Sequence, residues 1–399
     1  GGTVGDIESL PYIEAVRQMK WENPENTLVI HLTLVPYLSA AGELKTKPTQ
    51  HSVKQLLQLG IQPDVLVCRT EHHLTPAIRS KLAQFCNVNL ESVIESIDAS
   101  TIYDVPLLMQ EERLDEVVLK KLGLYTTDVA KPDLKNWKEF LYRYKNPDST
   151  VHIGLIGKYV ELKDAYKSIS EALAHAGAHL KNKVEIHWIH SEKVTSSSSA
   201  ELLGKLDGIL VAPGFGSRGI DGKLEAIKFA RTNNIPFFGI CLGMQCAVIE
   251  FARNVLGLSE AHSSEIKAYT TDPVIDIMAE QKTITDMGGT MRLGAYPCDL
   301  KEGSRARSIY GVDSVEERHR HRYEFNEAYR QRFEEAGMIA TGINPVSGLV
   351  EIVEIPTHTY FVASQFHPEY ASTVLAPHPL FVAFVKAAVL AGPGLANPE

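Results

Sequence analysis

Cys241 stands in the run Gly239-Ile240-Cys241-Leu242-Gly243-Met244-Gln245, directly after the apolar stretch Ile235–Ile240. A strand that turns sharply into a helix between small residues forms a nucleophile elbow, here with a thiol in the nucleophile's place. The helix N-terminus beyond it favours a thiolate, the form of sulfur that attacks a carbonyl carbon. A buried core cysteine beside a packing glycine accounts for these residues alone equally well. Two further segments bear on the choice. Gln365-Phe366-His367-Pro368-Glu369 follows another apolar stretch, and a histidine and an acid two residues apart supply a base and the group that orients it. Val211-Ala212-Pro213-Gly214-Phe215-Gly216 ends a third apolar run in a glycine loop whose amides suit an oxyanion hole. Pro213 has no N–H to donate, so Gly214 is the expected donor.

Other residues suit anion or amino-acid binding. Lys45 and Lys47 flank a turn expected at Pro48, with Gln50 behind, and two cations at i and i+2 reach one anion; an exposed loop pair is the alternative. Asp6 and Glu8 follow a glycine loop, where helix N-terminal charge is the plainer account. Glu265 and Arg322 offer the opposite charges that a free amino acid's ammonium and carboxylate require, or else form surface ion pairs. The cluster Arg318-His319-Arg320-His321-Arg322 has no cysteine or carboxylate at metal-ligand spacing, so no metal is expected there.

The elements that must position these residues read as two α/β patterns. Apolar residues at Ile7, Leu10, Ile13 and Val16 predict an amphipathic helix over 7–19. Strands are predicted at 27–35 and 65–68 with a helix at 52–59 between them, an arrangement that argues for a parallel sheet. Residues 126–150, with Pro132, a short helix near 137–144 and Asn146-Pro147-Asp148, read as a linker. Strands follow at 151–156, 184–190, 207–212, 235–240, 349–355 and 360–364, and the serines at 196–199 read as a surface loop.

Composition narrows the function classes. With 399 residues, 44% hydrophobic and 22% charged, two soluble globular domains are expected. A formal charge of −9 without a basic block disfavours a nucleic-acid partner. No apolar run approaches the ~20 residues of a membrane-spanning helix. Five irregularly spaced cysteines suit free thiols in a reducing cytoplasm. The opening Gly1-Gly2-Thr3-Val4-Gly5-Asp6 reads as the middle of a motif, so an N-terminally incomplete chain is expected. No Gly-rich phosphate loop ending in Lys-Ser or Lys-Thr occurs in the sequence.

The glycine loop, the elbow and the Gln365–Glu369 segment, in this order, resemble a class I glutamine amidotransferase. The remaining motifs resemble the CTP synthases: Gly1–Ser9, His31–Pro36, Lys45–Ser52, Gly157–Tyr159, Asp164–Ser168, Gly288–Gly294 and Glu317–Glu324. That resemblance implies a partial P-loop-type synthetase (amidoligase) domain over 1–125, a linker over 126–150 and an amidotransferase domain over 151–399. It implies a ligase that aminates UTP to CTP, using ATP with Mg²⁺ and ammonia from glutamine, with the metal ligands expected upstream of Gly1. Cys241, His367 and Glu369 are the implied triad. Gly214, Phe215, Leu242, Gln245, Glu265 and Arg322 are implied to bind glutamine. Lys45, Lys47, Gln50 and Lys81 are implied to contact UTP, Asp6, Glu8 and Phe85 the product CTP as feedback inhibitor, and Arg69 the ATP adenine. GTP as activator, with a lid over 158–166, and a dimeric or tetrameric assembly belong to the same expectation. A self-standing glutaminase and a polymer-forming structural subunit are the competing readings.

Overall fold

Val65–Thr70 is buried at every position except Arg69, as a strand must be when helices cover both faces of its sheet. In the computed structural model, which describes residues 3–126, 128, 132–277 and 291–392, it is the centre of a three-stranded parallel sheet. Ile30–Leu34 and Val93–Ile97 flank it, in register from Ile30 opposite Val65 and from Leu66 opposite Val93. The helices Lys47–Gln58 and Pro76–Cys86 supply Val53, Leu82 and Cys86 to a core with Val35, Leu66, Cys68 and Val93. The chain divides into two compact units, 1–133 and 134–399, and this sheet belongs to the first.

The N-terminal helix differs from its prediction. A 3₁₀ turn covers Ile7–Ser9 and the helix runs Leu10–Glu22, but none of its residues is buried, and Ile7 and Trp21 are 81% and 79% exposed. The apolar periodicity therefore marks a face that this unit does not cover. Tyr12, Ile13 and Val16 from that face join Asp6, Glu8, His31 and Leu56 around an open cavity of about 750 Å³.

The second unit holds a nine-stranded sheet among the described residues. Asn182–His190, Ser149–Gly157, Gly208–Val211, Phe237–Ile240 and Phe361–Ser364 lie side by side and parallel. Val350–Glu354, Ile339–Ile343, Arg292–Leu300 and Ser314–His321 continue it antiparallel. Helices Lys167–His179 and Pro379–Ala391 cover one face, and Ile220–Thr232 and Leu242–Asn254 the other. The helix Lys135–Lys145, within the expected linker, lies in this unit, with Phe140 packed edge-on against His175. The serines at 196–199 form a turn that ends in the short helix Ser199–Leu203.

Of the antiparallel wing the sequence predicts only the strand at 349–355; Ile339–Ile343, Arg292–Leu300 and Ser314–His321 are the part that sequence reasoning missed. Ser314–His321 alternates, with Glu317, His319 and His321 turned inward and the residues between them outward. Charged side chains at the inward positions hide the strand period from a hydrophobic pattern. Part of the expected Gly288–Gly294 motif, residues 288–290, lies outside the described residues.

Candidate active site

Four loops leave the C-terminal ends of neighbouring parallel strands, the crevice where open α/β sheets bind ligands. They begin at Lys158, Ala212, Cys241 and Gln365. Cys241 is the residue between strand and helix, at φ 53 and ψ −105, a backbone conformation costly for any residue with a side chain. Two glycines make that turn possible. A Cβ on Gly243 would lie 2.3 Å from Val211 O, and one on Gly239 would lie 2.9 Å from the Gly243 backbone. The Cys241 N–H donates to Ser364 O at 2.7 Å, which ties the elbow to the strand that leads to His367.

His367 is buried, and its Nδ1 sits 2.8 Å from Glu369 Oε1. That bond fixes the ring so that Nε2, which makes no hydrogen bond of ordinary geometry, faces the Cys241 sulfur. Burial alone would push the ring toward neutrality. The adjacent Cys241 sulfur and Glu369 carboxylate outweigh it and raise its pKa to about 11. Cysteine, base and orienting acid therefore stand in the order that nucleophilic catalysis needs.

A small cavity of about 30 Å³ opens onto the sulfur and is lined by Gly214, Phe215, Cys241, Gln245, Glu265, His321, Arg322 and Tyr323. Six of the sequence-predicted residues thus meet in one place, and Leu242 follows Cys241 at the helix start. The Glu265 side chain still reaches solvent, yet burial raises its carboxyl above the ordinary range, opposed by the Gly216 N–H and the Arg322 and Lys158 charges. Gln245 Nε2 donates to Tyr323 O at 2.8 Å and to Gln365 Oε1 at 3.3 Å, and Gln365 Nε2 lies 3.7 Å from Cys241 Sγ.

Lys223 escaped sequence reasoning altogether, while Gln365 and Lys158 stand in the quoted motifs, Lys158 in the expected lid, without a role in this site. Lys158 is buried and its Nζ donates to Phe215 O. Lys223 is fully buried, with Nζ donating to Ala212 O at 2.8 Å. Two ammonium groups thus hold the carbonyls on either side of Pro213-Gly214. Lys223 was findable, because it falls at i+3 on the apolar stripe Ile220, Leu224, Ile227. A lysine there needs an internal partner.

His319, His321 and Glu351 gather three metal-capable atoms behind the elbow. Glu351 is already paired with Arg292 at 2.7 Å and His319 at 2.6 Å, and a guanidinium beside the carboxylate disfavours a cation. The cluster is an ion-pair network that braces the strand Val350–Glu354, whose Glu351 O accepts the Gln365 N–H at 2.8 Å.

In the first unit the predicted residues fall into separate groups. Pro48 occupies the first turn of the helix Lys47–Gln58 instead of forming a free turn, and Thr46 is its N-cap residue. Lys45 pairs with Glu43, whose carboxyl is lowered by that contact and, more weakly, by Lys81. Gln50 Nε2 donates to Thr46 Oγ1 at 3.1 Å. Lys81 and Phe85 are exposed one turn apart on Pro76–Cys86. Asp6 and Glu8 line the 750 Å³ cavity, which contains none of those lysines. Arg69, the last residue but one of its strand, lies 3.6 Å from Asp98, both exposed. Neither group of three metal-capable side chains found among the described residues lies in this unit, and the sequence carries no phosphate loop.

The relationships of the chain agree with this geometry. Residues 1–124 match the family model of the CTP synthase N-terminus, and residues 161–387 that of class-I glutamine amidotransferases. The chain is 65% identical over 389 residues to the CTP synthase of Cytophaga hutchinsonii, covering 97% of this chain and 72% of that protein. It is 63% identical to the CTP synthase of Christiangramia forsetii, over 97% of this chain and 71% of the relative. The solved glutaminase domain of the Trypanosoma brucei enzyme, with bound acivicin, is 40% identical and aligns with a TM-score of 0.57, over 60% of this chain and 94% of that one. Among the described residues no helix is long and apolar enough to cross a membrane. With an elbow cysteine facing a carboxylate-held histidine in one unit and the synthase N-terminal pattern in the other, the chain belongs to the CTP synthases, glutamine-hydrolysing ligases.

Proposed function

We propose that the second unit hydrolyses glutamine at Cys241, His367 and Glu369, and that the ammonia released is the amino donor for UTP. The observation that carries this reading is the strained Cys241 backbone beside a histidine whose other nitrogen is held by Glu369. The Cys241 thiolate attacks the side-chain carboxamide carbon of glutamine. As the C–S bond forms, the carbonyl π pair moves to oxygen, where the amides of Gly214 and Leu242 stabilise it. His367 then protonates the nitrogen, the C–N bond breaks, and ammonia leaves a γ-glutamyl thioester. A water molecule, deprotonated by His367, attacks that carbon, and glutamate departs as the thiolate reforms.

Glu265 and Arg322 meet the ammonium and carboxylate of glutamine, with Gln245 and the Gly214–Phe215 backbone completing the pocket. Lys158 and Lys223 hold the Ala212–Phe215 loop in place. The division at 1–125, 126–150 and 151–399 follows from the same reading, as does an oligomer with GTP as activator and CTP as inhibitor. Treatment with a glutamine-like electrophile tests the triad: peptide mapping should place the adduct on Cys241, and glutamine should protect. Labelling of another cysteine, or none, would remove it.

In the first unit, Lys45, Lys47, Gln50 and Lys81 bind the UTP triphosphate, where the start of the helix Lys47–Gln58 adds its dipole. Asp6, Glu8 and Phe85 belong to CTP recognition and Arg69 to the adenine of ATP. Mg²⁺ bound with ATP would neutralise its phosphates. Replacing Lys45 or Lys47 with Ala, in an enzyme of the relatives' full length carrying this sequence, should weaken UTP and CTP together. A lost charge-assisted hydrogen bond costs about 1.5–3 kcal/mol, roughly ten- to a hundred-fold in affinity. Basal glutaminase activity should hold. Unchanged UTP and CTP affinities would return the lysines to a solvated surface pair. The 399-residue chain alone is expected to make no CTP, for want of a phosphate loop. ATP-dependent conversion of UTP by it would contradict that.

A further inference from the structure

The edge of the nine-stranded sheet carries a group of side chains that the glutaminase site does not use. Ser149–Gly157 and Asn182–His190 pair in parallel without a break, from Ser149 opposite Asn182 to Gly157 opposite His190. That register sets His152 opposite Glu185 and Gly154 opposite His187. Side chains two apart on a strand share a face, so His152, Glu185 and His187 project from the same face of the sheet.

The three converge. His152 Nδ1 lies 3.0 Å from His187 Nε2, and the ligand-capable atoms of all three residues lie within 4.8 Å of one another. Zinc bonded to nitrogen at ~2.0–2.1 Å in a tetrahedron needs its ligand atoms roughly 3.4 Å apart, so the imidazole pair requires only a small adjustment. The short contact between the rings is an N–H···N hydrogen bond, and a cation placed between them takes one lone pair from each ring while the donating ring passes to its other tautomer, with its proton on the nitrogen away from the ion.

The scaffold is rigid. Paired strands hold side chains more firmly than loops do. The His152 N–H also donates to Asp207 Oδ2 at 2.7 Å, which pins the strand at the first ligand. Next to it, a Cβ on Gly154 would lie 2.5 Å from Leu206 Cδ1 and 3.6 Å from Ile189 Cδ1, so apolar side chains close one side. Glu185 is exposed, and no ion pair is recorded for it among the described residues. Lys183 shares the face, two residues away, on an arm long enough to turn to solvent. The contrast with His319, His321 and Glu351 is in the carboxylate, since theirs is already taken by Arg292.

We infer that His152, Glu185 and His187 form a binding site for a divalent first-row transition ion, with Zn²⁺ the best match. Two imidazoles and one carboxylate are zinc-type ligands, and solvent completes the fourth position. The site is open, so it exchanges its ion with solution and is distinct from the thiol chemistry at Cys241.

The test is a calorimetric titration of the metal-stripped chain with Zn²⁺ alone, with and without His187→Ala and Glu185→Gln. Both positions are on the outer edge strand, so both variants should fold, and circular dichroism checks this. One saturable equivalent is expected, weakened by at least roughly 10-fold on either substitution, since losing even an outer partner of a ligand costs about 10–100-fold. His187→Cys, which keeps a ligand, should restore most of the affinity. Zn²⁺ should also raise the melting temperature of the unsubstituted chain and not that of His187→Ala. Identical titrations of the three proteins would place the ion elsewhere, at the thiols or other histidines, and overturn the assignment. Absence of a saturable equivalent in the unsubstituted chain would overturn it as well.

Discussion

Cys241→Ala is expected to lower glutamine hydrolysis by roughly 10⁴–10⁶, the loss seen when a nucleophile is removed from a set of residues that act as a unit. The fold should survive, because the buried thiol is replaced by a slightly smaller apolar group. A second substitution separates chemistry from strain. At φ 53 and ψ −105, Cys241 occupies backbone space that glycine enters freely and other residues do not. Cys241→Gly should therefore be as inactive as Cys241→Ala but more stable than it, by about 1–3 kcal/mol. Urea unfolding of the two variants measures this difference, and a glutaminase assay the loss. If the glycine variant were the less stable of the two, the elbow would not be storing strain. If the alanine variant kept appreciable activity, the nucleophile would be another group.

The parts of this fold that sequence reveals are those whose physics is local. Gly208–Val211, Phe237–Ile240 and Phe361–Ser364 are covered on both faces and read as short unbroken apolar runs. The triad follows from them, because each of its loops leaves the end of such a strand. Ser314–His321 was illegible for the opposite reason. Its inward positions are Glu317, His319 and His321, and what makes burial tolerable there comes from elsewhere. Glu351 meets His319 from another strand, and Tyr310 and His378 meet Glu317 at 2.7 and 2.8 Å. A pattern of charged residues looks solvated until those partners are known. The helix Leu10–Glu22 misled in the reverse sense, since its periodicity is real but its apolar face is uncovered within its unit. Lys45, Lys47 and Asp6 follow only from residue type and resemblance, and the first unit holds Asp6 in a cavity that contains neither lysine.

Lys223→Met should stabilise the protein at pH 7 and slow glutamine hydrolysis at the same time. The ammonium is wholly buried, and its one hydrogen bond among the described residues is to Ala212 O. Burial lowers its pKa from 10.5 to about 8, Lys158 adds to the shift, and the Cys246 and Cys241 sulfurs oppose it. The sign follows from linkage. Between pH 8 and 10.5 the unfolded chain holds a proton that the folded one has lost, so this group's contribution to stability rises with pH across that window. Below pH 8 the fold bears the full cost of an internal cation, on the order of 3 kcal/mol for a shift of this size. Methionine keeps the volume and removes the charge, at the expense of leaving Ala212 O without its partner, a loss of about 1–3 kcal/mol. A net gain of roughly 1 kcal/mol is therefore expected at pH 7, disappearing or reversing by pH 10.5. Activity should move the other way. Ala212 and Phe215 lose one of the two cations that set the loop, and the thiolate loses a positive neighbour, so kcat should fall by about 10–100-fold with little change in KM. Denaturation at pH 7 and pH 10, with glutaminase kinetics on the same preparations, measures both effects. A variant that is destabilised at pH 7 with kcat unchanged would make Lys223 a structural pin of the helix Ile220–Thr232. Raised stability with lowered kcat is the signature of a charge retained for the reaction at a cost to the fold.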